Sequence, residues 1–133
     1  MSVEHNLKKL VKGMTPKLND GEYVFATVDD LSSIDASLAI CTFKEAEGIT
    51  LVINRQKADQ LELKYDFVAN WITLQIHSSL EAIGLTAVFS TELAVKNISC
   101  NVIAGFYHDH IFVSTKDSIR AIETLENLSQ TFQ

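Results

Sequence analysis

Trp71-Ile72-Thr73-Leu74-Gln75-Ile76-His77, the polar Ser78-Ser79-Leu80-Glu81, and an apolar stretch running through Leu85, Val88, Phe89 and Leu93 to about Lys96 decide how this chain folds. The first seven residues alternate apolar and polar side chains, the period of a strand with one covered face. The leucines, valine and phenylalanine that follow recur at spacings of three and four, the period of a helix. Beyond them, Ile98 to Tyr107 reads as a strand, His108-Asp109 as a hairpin turn and His110 to Ser114 as the return strand. Thr115 is then placed to cap a last helix with its stripe at Ile119, Ile122, Leu125 and Leu128. The order from Trp71 is βαββα, most of a ferredoxin-like split βαβ, whose sheet needs a further strand from elsewhere in the chain.

The first half carries a fainter version of this order. Val3, Leu7, Leu10, Val11 and Met14 form the stripe of an N-terminal helix, with Gly13 near its end and Pro16 as its stop. After the turn Asn19-Asp20-Gly21, the β-branched and aromatic run Tyr23 to Val28 predicts a strand buried on both faces. Ala39 to Lys44 and Ile49 to Ile53 flank Glu45-Ala46-Glu47-Gly48 as a hairpin, and a short helix follows at about Asn54 to Leu61. Leu63 to Phe67 is either another strand or a linker. The spacing between the first two strands is ten residues here, Asp29 to Leu38, against twenty in the second half, Ser78 to Asn97. At ~1.5 Å per residue ten positions hold little more than one or two helical turns, so the first copy is degenerate. The expected class is α+β, two βαββα units in tandem with antiparallel sheet and helices on one face, divided at residues 1–68 and 69–133.

Composition narrows the functions. The 133 residues carry 17 acidic and 11 basic side chains, a net charge of −6, with 47% hydrophobic residues and one proline, which describes an ordinary soluble globular protein. No Lys or Arg run supplies the clustered positive field that nucleic acid or an anionic membrane needs, so neither is an expected partner. The segment Met1 to Met14 is interrupted by Glu4, His5, Lys8, Lys9 and Lys12, and no stretch is long and apolar enough for a membrane span. The expected location is the cytoplasm, where Cys41 and Cys100, each in a strand-like apolar context, read as buried free thiols.

Gly84-Leu85-Thr86-Ala87, a helix, Ile98-Ser99-Cys100-Asn101-Val102-Ile103-Ala104-Gly105 and then His108-Asp109-His110-Ile111-Phe112-Val113 resemble the ACT domain. The whole chain is similar to small stand-alone tandem ACT-like bacterial proteins of uncharacterised function, through Tyr23-Val24-Phe25, Glu45-Ala46-Glu47-Gly48, Trp71-Ile72-Thr73-Leu74, His77-Ser78-Ser79-Leu80-Glu81-Ala82 and His108-Asp109-His110. The resemblance implies an amino-acid-sensing regulatory module, without catalysis or cofactor, assembling as a homo-oligomer such as a dimer and reporting to an unidentified protein partner. The first copy lacks the full first helix and its glycine, so no ligand site is carried over to it.

The residues themselves point to the connection from His77 to Thr86. It leads from a strand end into a helix N-terminus, where unpaired N–H groups and the positive end of the helix dipole favour the carboxylate of a small amino acid or related zwitterion. Ser78 and Ser79 are either helix caps or ligand contacts, and Glu81 is either a dipole partner or an acceptor for an α-amino group. Gly84, leading into Leu85 and Thr86, either turns the chain tightly or lets a ligand approach the backbone. The resemblance implies a second contact from a strand of a neighbouring unit, which places Asn101 at the site, since an amide both accepts from an ammonium and donates to a carboxylate. Its other reading is a strand-edge residue satisfying backbone groups. Ala104 and Gly105 fit a pocket wall or a β-bulge.

Other chemistry fits less well. His108 and His110 would give a metal two close-spaced ligands where three or four are usual, and nothing in the sequence brings His77 to them. No serine lies in a Gly-x-Ser-x-Gly elbow and the phosphate-loop pattern is absent. The expectation is therefore a binding module and not an enzyme, with a ligand-free dimerisation module or a metal protein using those histidines as the alternatives.

Overall fold

The computed structural model describes residues 6–32, 34–76 and 79–133, so Val3, His77 and Ser78 lie outside the described residues. The chain forms two compact units, one from residues up to Asn19 together with Trp71–Gln133, the other from Asp20–Asn70.

In the first unit, helix α1 (Leu7–Gly13) is capped by Asn6, whose side chain accepts from the Lys9 N–H, and strand β1 (Thr15–Leu18) follows. Reading Pro16 as a mere helix stop missed this strand. Its four residues, exposed but for a half-buried Pro16, carry no apolar alternation, and what makes them a strand is antiparallel pairing with β5 (Val68–Gln75), from Thr15 opposite Gln75 to Leu18 opposite Ile72. Proline fits there because β1 pairs on one side only, where a missing N–H costs no ladder bond. Helix α3 (Leu85–Val95), strands β6 (Asn101–Ala104) and β7 (Asp109–Ser114), and helix α4 (Ser118–Thr131) complete the unit, with β7 between β5 and β6.

Alternation assembles the core: Ile72 and Leu74 of β5 and Ile111 and Val113 of β7 share one cluster with Leu10 and Val11 of α1, Leu85, Phe89 and Leu93 of α3, and Ala121, Leu125 and Leu128 of α4. All three helices therefore bury their apolar stripes against the same sheet face. Ile119 does not join them. It is 62% exposed, because at 3.6 residues per turn it stands two and a half turns from Leu128, on the opposite side of α4 from the buried Ser118, Ala121, Leu125 and Leu128. The hairpin between β6 and β7 turns at Gly105–His108, not at His108-Asp109, and Gly105 N–H donates to His108 O at 2.9 Å. A Cβ on Gly105 would lie 2.8 Å from that carbonyl, so the position belongs to a tight turn.

In the second unit, β2 (Tyr23–Val28) pairs antiparallel with β4 (Ile49–Asn54), and β3 (Ala39–Lys44) flanks β4 on its far side. Val68 and Ala69, the start of β5, pair with Val24 and Tyr23. Leu63–Phe67 is thus the linker alternative, and β5 begins three residues earlier than the Trp71 start expected from its alternation. The short first segment of this copy holds one 3₁₀ turn, Ala36–Leu38, where a helix would stand in a complete unit. Helix α2 (Arg55–Gln60) starts at Asn54, whose side chain accepts from the Gln56 and Lys57 N–H groups. Strand β2 is buried on one face only, through Val24 and Ala26, with Thr27 exposed on the other. Neither cysteine is fully buried; both are free, and burial pushes the Cys100 thiol up to about 11. Among the described residues no helix is long and apolar enough to cross a membrane.

Candidate functional site

The connection from β5 into α3 closes on itself before the helix begins. Ser79 Oγ accepts from the Glu81 N–H at 3.0 Å, and the Ala82 N–H donates to the Ser79 carbonyl at 3.0 Å, a local turn of the kind serine side chains favour. Ser79 is thereby committed to its own turn and does not cap α3. Ser78 lies outside the described residues.

The residue that enters the helix is Gly84, at φ +98°, a left-handed conformation that side-chain-bearing residues adopt at a cost. A Cβ there would meet Leu7 Cδ2 of α1 at 3.2 Å, so the glycine also makes room for packing between the two helices. Leu85, next in line, is 4% exposed and its side chain belongs to the core. Only its backbone faces the task assigned to it. Thr86 is exposed, and so is Glu81, which stands outside the first turn of α3.

The first i to i−4 hydrogen bond of α3 runs from Val88 N–H to Gly84 O at 3.0 Å. The N–H groups of Leu85, Thr86 and Ala87 therefore have no partner inside the helix, Gly84 has no side chain to cap them, and no acidic residue stands in the first turn. The end of α3 can receive one carboxylate without competition from a carboxylate in its own first turn.

Asn101 opens β6, which is separated from β5 by β7. Cys100 and Val102 pack toward the helices, so the alternating Asn101 side chain lies on the opposite sheet face, exposed, with Nδ2 donating to Phe112 O at 3.4 Å. Among the described residues no hydrogen bond joins it to the Ser79–Thr86 loop.

On that same face the structure builds a polar cluster that sequence reasoning missed. Trp71 Nε1–H donates to His110 Nδ1 at 3.0 Å, and Thr73 Oγ1 stands 3.1 Å from the same nitrogen. Asn19 Nδ2 donates to Thr73 Oγ1 at 2.9 Å and to Trp71 O at 3.2 Å. With Thr73 receiving from Asn19, its own proton is free for His110, so Nδ1 is an acceptor and the ring proton sits on Nε2. Burial first, and then the neighbouring His108, hold His110 below the ordinary imidazole range. His110 is thus a half-buried strand residue tied to Trp71 and not part of a solvated turn. The legible signal was Thr73, a polar residue on a strand otherwise apolar at its centre; the partner waiting for it was not legible.

His108 directs Nδ1 to Ile76 O at 3.3 Å. Asp109 lies in β7, its carboxyl pushed above the usual range by burial and drawn back by His108. Among the described residues no group of three or more His, Cys, Asp or Glu side chains is placed to hold a metal ion, and His77 lies outside those residues.

Two family models, each described as ACT domain, match residues 2–70 and 66–127. A Vibrio cholerae protein of unknown function, described as a possible transport protein, is 47% identical, with 93% of this chain covering 96% of that one at a TM-score of 0.84. Two further structures share the fold at 14% identity. One is an aspartate kinase from Clostridium acetobutylicum, TM-score 0.59, over 86% of this chain and 34% of that enzyme. The other is a putative C-terminal regulatory domain of aspartate kinase from Porphyromonas gingivalis, TM-score 0.54, over 90% and 98%. No curated protein matches the chain.

Proposed function

Starting from the fact that this chain belongs to the ACT domain family, which its two tandem matches establish, we propose that it is a cytoplasmic regulatory module that binds a small amino acid and performs no catalysis. ACT domains are typically regulatory small-molecule-binding modules, and they commonly oligomerise. The two copies are taken as residues 1–68 and 69–133, with the ligand at the loop that enters α3 in the second copy. The observation that carries this reading is the start of α3, where among the described residues no side chain caps the first N–H groups. The N–H groups of Leu85, Thr86 and Ala87 receive the ligand carboxylate there, and Gly84 brings no side chain to compete for them. Ser79 and Glu81 offer acceptors for the ammonium, and Ser78, outside the described residues, is assigned to the site from the sequence alone.

Asn101, on the far sheet face of its own unit, serves a site completed by a second copy of the chain. The homodimer is accordingly part of the proposal. A ligand held between two copies stabilises the assembled state in proportion to its unequal affinity for that state, and a partner protein reads the difference.

The test is thermal unfolding of the full chain against each of the twenty amino acids, with a chelator control. A ligand at ~100 times its dissociation constant adds about 2.7 kcal/mol. For a chain of this length that raises the midpoint by roughly 10 °C. A selective rise for one or a few amino acids supports the reading, and Asn101→Ala then weakens binding by roughly 1–3 kcal/mol. No rise across the panel leaves dimerisation without a ligand as the function, and a fall with chelator alone returns attention to the histidines.

A further inference from the structure

In the unit formed by residues 20–70, a cavity of about 410 Å³ is lined by Gly21, Glu22, Asn54, Arg55, Gln56 and Asp59. We propose that this cavity binds a small aminocarboxylate, with the ligand carboxylate on Arg55 and its ammonium on Asp59 and Glu22. The site lies in the degenerate copy, uses no residue of the α3 loop, and stands or falls independently of it.

Side chains, not a helix end, build it. The α2 start is already spent: Asn54 Oδ1 accepts from Gln56 N–H at 2.9 Å and from Lys57 N–H at 3.4 Å, and Arg55 N–H donates to Glu22 O at 2.9 Å. The guanidinium of Arg55 is held from two directions. Its Nε–H donates to Tyr65 Oη at 3.0 Å and its Nη1 donates to Glu22 Oε1 at 2.9 Å, while Tyr65 Oη donates to Asp59 Oδ1 at 2.8 Å. These bonds form one chain, Glu22 to Arg55 to Tyr65 to Asp59.

A half-exposed arginine normally loses side-chain freedom when it binds something. Here much of that loss has already occurred, which is the condition for a pre-organised contact. The chain also leaves a complementary remainder. Among the described residues, Arg55 Nη2 has no hydrogen-bond partner, and neither do Glu22 Oε2 and Asp59 Oδ2. The remaining guanidinium N–H groups fit a carboxylate, and the remaining carboxylate oxygens fit an ammonium.

The mixed charge sets the ligand class. Two carboxylates repel a free anion, and the guanidinium repels a free amine, so a molecule carrying both charges is selected over either half. The volume lies within the range of small-molecule sites.

The chain has only two arginines, Arg55 and Arg120, so its side-chain ¹⁵N–¹H Nε spectrum has one reporter and one internal control. The full chain is titrated with glycine, β-alanine and 4-aminobutyrate, which vary the charge separation, and with acetate and methylammonium as half-ligands. The expected result is a saturable shift of the Arg55 signal with at least one aminocarboxylate, at a dissociation constant at least tenfold below that of either half-ligand, with Arg120 unmoved. Asp59→Asn keeps an oxygen for Tyr65 but removes the charge. It should weaken the best aminocarboxylate at least tenfold while leaving acetate binding unchanged or tighter. No saturable shift with any of the three, equal binding of acetate or methylammonium, or an unaffected Asp59→Asn variant overturns the proposal. None of these outcomes bears on the α3 loop, because an amino acid bound there leaves the Arg55 signal in place.

Discussion

Replacing Gly84 by alanine separates two demands made on one residue. At φ +98° an L-residue is strained, at about 1–2 kcal/mol by the usual penalty for left-handed backbone. The new Cβ also stands 3.2 Å from Leu7 Cδ2, and displacing the tip of that half-buried side chain adds about 1 kcal/mol, the lower end of overpacking costs. Together the substitution should cost roughly 2–3 kcal/mol, which at about 4 °C per kcal/mol for this length lowers the unfolding midpoint by some 8–12 °C. The two parts are distinguished by a double-mutant cycle with Leu7→Ala, followed by circular dichroism in heat and in urea. Leu7→Ala removes the obstacle but not the backbone strain, so the double variant should be about 1 kcal/mol more stable than additivity predicts. A Gly84→Ala midpoint within 2 °C of the parent, an interval the ~4 °C per kcal/mol scale equates to half a kcal/mol, would refute the claim that the entry into α3 needs this conformation. Strict additivity would refute the Leu7 contact as its second cause. The same reasoning makes Gly84→Val a stability perturbation before it is a binding one, so Asn101→Ala is the cleaner probe of the proposed site.

Two further outcomes are expected. His110 is held neutral when folded, so the unfolded chain takes up its proton first as acid is added; stability is full above the ordinary imidazole value and falls as the pH drops toward the lower folded value. Midpoints from pH 7.5 to 5 should decline less in His110→Gln than in the parent, and equal slopes would show that the Trp71 to His110 contact carries no proton linkage. With the Cys100 thiol pushed up to about 11 by burial, only about one molecule in a thousand carries its thiolate at pH 8. A Cys41→Ala variant should therefore react with a thiol reagent far more slowly when folded than in urea, and equal rates would contradict the burial.

Much of the fold was legible because it rests on local periodicity. The 3.6-residue stripe of α3 and the alternation of β5 are written in adjacent residues, and the β3–β4 hairpin follows from apolar runs around Gly48, whereas for β6 and β7 the strands were legible but the turn stands at Gly105–His108 and not at His108-Asp109. What was not legible depends on partners far along the chain. Thr15-Pro16-Lys17-Leu18 is a strand because β5 offers it a ladder, and Val68 starts a strand because β2 pairs with it, although the apolar pattern begins at Trp71. Ile119 is a different case: spacings of three drift round a 3.6-residue helix, so it ends on the side of α4 opposite Leu128. For the candidate loop, the strand-to-helix connection and its glycine were readable. That Leu85 turns inward, that Ser79 closes its own turn, and that His110 answers Trp71 across 39 positions were not, since each is fixed by tertiary packing.

The unit that carries this loop is assembled from two stretches, residues up to Asn19 and Trp71–Gln133, separated by residues 20–70. During synthesis at about 5–20 residues per second, α1 leaves the ribosome roughly 3–10 s before β5 reaches the same point. A seven-residue helix is too short to hold itself together in that interval. Leu10, Val11 and Met14 therefore wait as exposed apolar groups while residues 20–70, a continuous stretch, have already been made. A nascent chain in that condition is a natural client for a chaperone that covers apolar segments. A fragment cut at the repeat boundary to isolate residues 69–133 would never receive α1, and would leave one wall of its core facing water.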